Sequence, residues 1–182
     1  MVENVPPVRV WEALRKDPKA QLVDVRTDAE WNFVGLPDLS SAGKQVIPIQ
    51  WQTYPSMQRN AAFVDQLKET GFTADHHIYF ICRSGQRSLA AAQAAQRAGY
   101  PHVYNVADGF EGAVNSSGHR GVVAGWKAKG LPWCQRNFFS AFQLHDDGAL
   151  QHVYKCVCIV TMYRICSPGR ILYYYHQAFL AR

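Results

Sequence analysis

Residues 77–98 constrain this chain more than any other stretch. His77-Ile78-Tyr79-Phe80-Ile81 is a strongly apolar run of strand length, and Leu89 to Ala98 is a run of helix formers that stops at Gly99. Between them lies the short polar segment Cys82-Arg83-Ser84-Gly85-Gln86-Arg87-Ser88. A buried parallel strand joined tightly to a helix aims successive backbone N–H groups, and the positive end of the helix, at one point. Cys82 stands first in that loop, where negative charge on sulfur is favoured, and the thiolate is the nucleophilic form. Arg83 and Arg87 add positive charge beside it. The pattern predicts a reactive, anionic sulfur rather than a cysteine packed as a small hydrophobe.

The rest of residues 1–135 alternates in the same way. Helices are expected at Val8 to Lys16, Asp28 to Phe33, Ala61 to Glu69 (closed by Gly71) and Val122 to Lys129 (closed by Gly130). Strands are expected at Gln21 to Val25, Gln45 to Ile49 and His102 to Asn105. Alternation of this kind marks an α/β domain with a central, mostly parallel sheet flanked by helices. In such sheets the carboxyl ends of the strands share one edge, which lines the ligand crevice. Asp24 and Arg26 at one strand end are therefore expected near Cys82 at another. Local chemistry gives Arg26 and Glu30 as an ion pair, with Asp24 capping the turn that follows its strand. Trp31, Phe33 and Trp51 are candidates for an apolar wall of the pocket. Within the loop, Gly85 supplies the permissive backbone, Ser84 a hydroxyl donor and Gln86 mainly its backbone N–H.

Composition narrows the function classes. Nearly half of the 182 residues are hydrophobic, enough for one real core. Of the formal charge of +5, residues 1–135 hold fourteen Lys/Arg against twelve Asp/Glu, and residues 136–182 hold five against two. Neither part has a dense basic run interleaved with aromatics, so nucleic-acid binding is not predicted, and the excess is assigned to a positive pocket for an anionic substrate. No uncharged run is long enough to cross a bilayer. Met1 to Pro7 reads as neither a signal nor a transit peptide, and five cysteines lacking disulfide-scaffold spacing fit a reducing compartment. A cytoplasmic location is expected. His76, His77, His102 and His119 lack metal-ligand spacing, so no metal and no cofactor is predicted.

On these residues the chain resembles the rhodanese family of sulfurtransferases. The resemblance rests on Cys82-Arg83-Ser84-Gly85-Gln86-Arg87-Ser88, on Leu22-Val23-Asp24-Val25-Arg26 with Glu30-Trp31, and on Asn105-Val106-Ala107-Asp108-Gly109-Phe110-Glu111-Gly112. It continues through Gly118-His119-Arg120-Gly121 and Gly125 to Trp133, so that it covers residues 5–135. It implies that Cys82 carries the sulfur, as a persulfide, and that Arg87 closes the loop. It also implies that Cys82 and Arg87 are catalytic, that Arg83, Ser84, Gly85, Gln86 and Ser88 bind the substrate, and that Asp24, Arg26 and Glu30 support the site. Four residues separate Cys82 from Arg87, the spacing of the sulfurtransferases, whereas related phosphatases of the same fold insert one more.

The implied reaction moves sulfur from an anionic donor such as thiosulfate to a thiol or a cyanide-like acceptor, or to a sulfur-accepting protein. The alternatives are a binding or regulatory module that has kept the fold and lost catalysis, and phosphatase or arsenate-reductase chemistry. Two departures stand out. Asp108 replaces a second glycine common before Gly109, and Val34-Gly35-Leu36-Pro37-Asp38 stands in place of the family's Gly-His motif.

Residues 136–182 are a different kind of sequence, rich in tyrosine, phenylalanine and cysteine and poor in acids. They read as an atypical C-terminal extension. Two apolar stretches flank a turn signal at Ser167-Pro168-Gly169-Arg170, which leaves a hairpin or a poorly ordered segment as the two readings. Cys156, Cys158 and Cys166 with His152 lack the spacing of a metal centre. Every motif above precedes Arg136, so the extension is expected to be dispensable for the chemistry.

Overall fold

Helices α4 (Gln86–Arg97) and α3 (Phe63–Glu69) cover one face of a five-stranded parallel sheet, and α1 (Pro7–Lys16) and α5 (Gly125–Ala128) cover the other. The structure is a computed structural model and describes residues 1–135. The strands of the sheet are β1 (Glu3–Val5), β2 (Ala20–Asp24), β4 (Ile47–Pro48), β7 (His77–Ile81) and β8 (Val103–Val106), in the order β1-β8-β7-β2-β4. Helix α2 (Asp28–Val34) follows β2. Two small antiparallel ribbons complete the domain. One pairs β3 (Leu36–Pro37) with β9 (Trp133–Cys134), and the other pairs β5 (Gln52–Thr53) with β6 (Gln58–Arg59).

Alternation along the central strands divides the core in two. Val23, Ile78 and Phe80 point toward Phe63, Leu67, Ala91, Ala92 and Ala95, while Leu22, Tyr79 and Ile81 point toward Val10, Leu14, Phe110 and Trp126. Cys82 continues the Ile78/Phe80 series, so its side chain falls on the face covered by α4. The buried positions of α4 include Ser88, Ala91, Ala92 and Ala95, a stripe at helical spacing. Alanines there let the helix axis lie close to the sheet.

The α/β class and the parallel sheet match the sequence expectation, with shifts at the element ends. Strand β1 was not expected. Three residues carry too little alternation to register alone, and this one becomes a strand by pairing with Tyr104, Asn105 and Val106. The helix expected from Val122 begins only at Gly125, because Ala124 before it is extended, at φ of −147° and ψ of 173°. The C-terminal extension read after Gln135, with its turn signal and its cysteines, lies outside the described residues.

Candidate active site

Cys82 follows β7 directly and is buried, with 1% of its surface exposed. Its Sγ accepts two hydrogen bonds, from the Gly85 N–H at 3.2 Å and from the Ser88 hydroxyl at 3.2 Å. Gly85 is the N-cap of α4 and adopts φ of +93°, a conformation that favours glycine. The turn it makes brings its own N–H back onto the sulfur. Ser88 heads the buried stripe of α4, and this position explains why its hydroxyl reaches Cys82. In the resting site the hydroxyl that contacts the sulfur is that of Ser88.

The loop after β8 sets the orientation of the peptides that follow Cys82. Phe110 N–H donates to the Cys82 carbonyl at 2.8 Å, and the N–H groups of Glu111 and Gly112 donate to the Arg83 carbonyl at 2.9 and 3.1 Å. Because a trans peptide places its N–H opposite its C=O, the N–H groups of Arg83 and Ser84 are turned away from that loop. The first turn of α4 adds N–H groups that have no intrahelical carbonyl. Close approach is essential to this clamp. A Cβ on Gly109 would lie 2.3 Å from the Cys82 carbonyl oxygen and 2.8 Å from the Arg83 carbonyl carbon. Asp108 beside it adopts φ of +61°, a left-handed conformation that Asp tolerates and glycine adopts freely.

The ion pairs differ from the expected ones. Arg26 does not pair with Glu30. Its Nε lies 3.0 Å from both carboxylate oxygens of Asp24, and its Nη2 lies 2.6 Å from Asp24 Oδ2 and 2.6 Å from the Gly35 carbonyl. Asp24 also accepts the Arg26 backbone N–H at 3.0 Å, and both side chains are fully buried. The Arg26 guanidinium lies 4.1 Å from the centre of the Phe110 ring. Glu30 pairs with Arg87 instead, Oε1 with Nη2 at 2.6 Å and Oε2 with Nη1 at 2.8 Å. The cause lies in where α2 starts. Thr27 is its N-cap, so Arg26 precedes the helix and the i,i+4 rule does not bring it onto Glu30.

Glu30 is fixed twice over. Its Oε2 accepts from Thr27 N–H and from the Thr27 hydroxyl, each at 3.0 Å, while the Thr27 oxygen accepts from Glu30 N–H, completing a capping box. Burial raises the pKa of its carboxyl, but the hydrogen bonds from Arg87 and Thr27 outweigh it and hold the group at about 2. Burial works against the charge of Arg87, and the Glu30 carboxylate outweighs that effect and pushes the guanidinium further up. Sequence reasoning overlooked Thr27. The Thr27-x-x-Glu30 spacing carries the signal.

The remaining expected residues divide by exposure. Arg83 and Gln86 are exposed and Ser84 is half-buried. Trp51 is not a free pocket wall, because it packs edge-on against Phe63 at 5.0 Å, with Arg59 over its ring at 4.6 Å. Phe33 is 79% exposed. Of the histidines, His77 Nδ1 lies 2.7 Å from Asp17 Oδ2, and His76 Nδ1 accepts the Thr73 N–H at 3.0 Å. Gly35 adopts φ of +93° where the chain turns from α2 into β3.

A family model described as the rhodanese-like domain matches residues 7–116. The chain belongs to this family. Among relatives, the uncharacterized protein RP600 of Rickettsia prowazekii (strain Madrid E) is 37% identical over 134 residues, which span 73% of this chain and 98% of that protein. Rv0390 from M. tuberculosis, known from a crystal structure, superposes with a TM-score of 0.68 at 45% identity, over 74% of this chain and 98% of its own. The solution structure of the polysulfide-sulfur transferase homodimer from Wolinella succinogenes shares the fold. Its TM-score is 0.52 at 18% identity, over 78% of this chain and 85% of that one. Among the described residues of this rhodanese-like chain, no helix is long and apolar enough to cross a membrane.

Proposed function

We propose that this rhodanese-like chain is a sulfurtransferase that works through a persulfide on Cys82. One observation carries the reading: a buried sulfur at a helix N-terminus accepts a backbone N–H and a hydroxyl, the donor set that holds a thiolate or a persulfide anion. The Cys82 thiolate attacks the outer sulfur of an anionic donor such as thiosulfate. The donor's S–S bond breaks, sulfite leaves with the bonding electrons, and the transferred sulfur remains on Cys82. A thiophilic acceptor, such as a thiol, cyanide or a sulfur-accepting protein, then takes the outer sulfur and returns Cys82 as thiolate. The outward-held carbonyls of Cys82 and Arg83 leave their neighbouring N–H groups to stabilise the charge on the transferred sulfur. Four residues between Cys82 and Arg87 support a loop sized for sulfur rather than for a phosphoryl group. The reading also places the reaction in a reducing, cytoplasmic setting.

Two half-reactions through one covalent intermediate predict ping-pong kinetics. Double-reciprocal plots with thiosulfate varied at several cyanide concentrations should give parallel lines. Intersecting lines would reject an obligatory Cys82 persulfide.

A further inference from the structure

Both terminal nitrogens of Arg87 are occupied in the resting protein. Glu30 holds them at 2.6 and 2.8 Å, and the two side chains are only 16% and 19% exposed. The carboxylate cannot follow Arg87 elsewhere, because the same Oε2 is tied to Thr27 N–H and to the Thr27 hydroxyl. The second arginine near the loop is in the same condition. Arg26 makes three side-chain contacts to Asp24, with both side chains fully buried. Each pair neutralises itself. Of the two arginines within the loop, Arg83 is the one without a carboxylate partner among the described residues, and it is exposed, where salt screens it. The contacts made to the sulfur itself are a backbone N–H and a hydroxyl, at the helix terminus, and none is a full positive charge.

We infer that Glu30 is a specificity-determining residue: by filling the fork of Arg87, it selects sulfane donors with a single negative charge, hydropersulfides, over dianionic thiosulfate. The inference rests on the sulfur-transfer reading above and names its donor class. With thiosulfate, thiolate and donor bring three negative charges together, and they end as a persulfide anion and sulfite. With a hydropersulfide anion, R–S–S⁻, the Cys82 thiolate attacks the terminal sulfur, the S–S bond breaks, and R–S⁻ leaves with the bonding electrons. That step carries one charge fewer throughout. An extra charge entering a half-buried site needs an unengaged partner, and Glu30 has taken the one best suited to an oxyanion. The Glu30 carboxylate also repels the second charge directly.

The test compares thiosulfate with 2-hydroxyethyl hydropersulfide, whose only charge sits on the reacting sulfur. Each kcat/KM is divided by the rate of the same donor with free cysteine. The wild-type chain should then favour the hydropersulfide by at least about tenfold. Glu30→Gln keeps the capping box and removes the charge, and it should shrink that ratio about tenfold, chiefly through a lower KM for thiosulfate. A wild-type preference for thiosulfate, or a ratio that Glu30→Gln leaves unchanged or raises, would overturn the inference. Should the variant not fold by circular dichroism, the wild-type ratio decides alone, and a preference for thiosulfate overturns the inference. Sulfur loading on Cys82 from neither donor would instead remove the transfer reading itself.

Discussion

The two edges of the five-stranded sheet use polar groups to opposite ends. At the amino edge, side chains hold turns in place. Lys44 Nζ donates to the carbonyls of Asp17, Pro18 and Ala20, His77 meets Asp17, and Lys19 meets Asp75 at 2.9 Å. Most of these groups stand partly or fully in water, where an ion pair contributes about 0–1 kcal/mol. At the carboxyl edge the charged side chains neutralise one another, Asp24 with Arg26 and Glu30 with Arg87. Apart from the exposed Arg83, what remains there is dipolar: the Gly85 N–H and the Ser88 hydroxyl on the buried sulfur, and the Arg83 and Ser84 N–H groups that the clamped carbonyls turn away from the 109–112 loop. The contrast teaches that the reactive end of this fold draws its field mainly from oriented peptides, and its arginines serve as framework as much as clamps.

Removing the sulfur should have the largest effect. Cys82→Ser should abolish sulfur loading and leave the circular dichroism spectrum unchanged, because serine keeps the size but is not an anion near neutral pH. Loading of the variant at the wild-type level would put the chemistry on another cysteine.

Next come paired glycines, one at each edge. A Cβ at Gly109 meets carbonyl atoms at 2.3 and 2.8 Å, whereas Gly99, at φ of +103°, has open space around it. In urea unfolding, Gly109→Ala should cost about 2–4 kcal/mol and Gly99→Ala only about 1 kcal/mol. Gly109→Ala should also slow sulfur loading in the folded fraction, since the clamp on the Cys82 carbonyl is displaced. Equal costs for the two variants would mean that the 109–112 loop is not a clamp.

Ser88→Ala should slow single-turnover loading of Cys82 about three- to tenfold, the loss of one hydrogen bond of about 1 kcal/mol to an anionic sulfur. Threonine at this position should restore most of the rate. A loading rate unaffected by alanine would leave the backbone as the whole of the sulfur's stabilisation and sharpen the comparison further.

The smallest effect is in the pH dependence of stability. The Glu30 carboxyl is held at about 2, below its ordinary 4.5. A depressed pKa contributes stability that is present above the ordinary value and is lost as pH falls through the depressed one. The stability gap between wild type and Glu30→Gln should therefore be constant from about pH 7 to 5, shrink below about 4.5 and close near 2. Asp17 at the other edge is also lowered, first by the Lys19 backbone N–H, against burial, and then by His77. Asp17→Asn should show the same sign with a smaller gap, because the site is more open to water. A larger gap for Asp17→Asn would reverse the ranking of the two edges.

How much the sequence discloses depends on whether a residue's partner is close in the chain. The strand, loop and helix around Cys82 are legible because apolar period, glycine punctuation and helix formers agree within some twenty consecutive positions. Glu30 and Arg87 are 57 positions apart, so no local rule pairs them, and the nearer Arg26 competes for the assignment until the helix start at Thr27 is known. Ser88 was legible in principle. Positions 88, 91, 92 and 95 form one buried stripe, and a serine on an otherwise alanine stripe beneath a helix N-terminus marks a hydroxyl facing the sheet. Strand β1 depends on neighbours about a hundred residues away, and the 109–112 clamp on neighbours about thirty residues away. Pairing at that distance leaves no periodic trace.

The most direct test of the central claim is the intact mass of the full chain after incubation with a sulfane donor, followed by cyanide. Both 2-hydroxyethyl hydropersulfide and thiosulfate should be tried, with an aryl phosphate as a control. The account predicts a gain of one sulfur atom, mapped by peptide analysis to Cys82, its complete loss to cyanide as thiocyanate, and no phosphate released from the control. An unchanged mass with both donors, a sulfur mapped to another cysteine, or turnover of the aryl phosphate would contradict it.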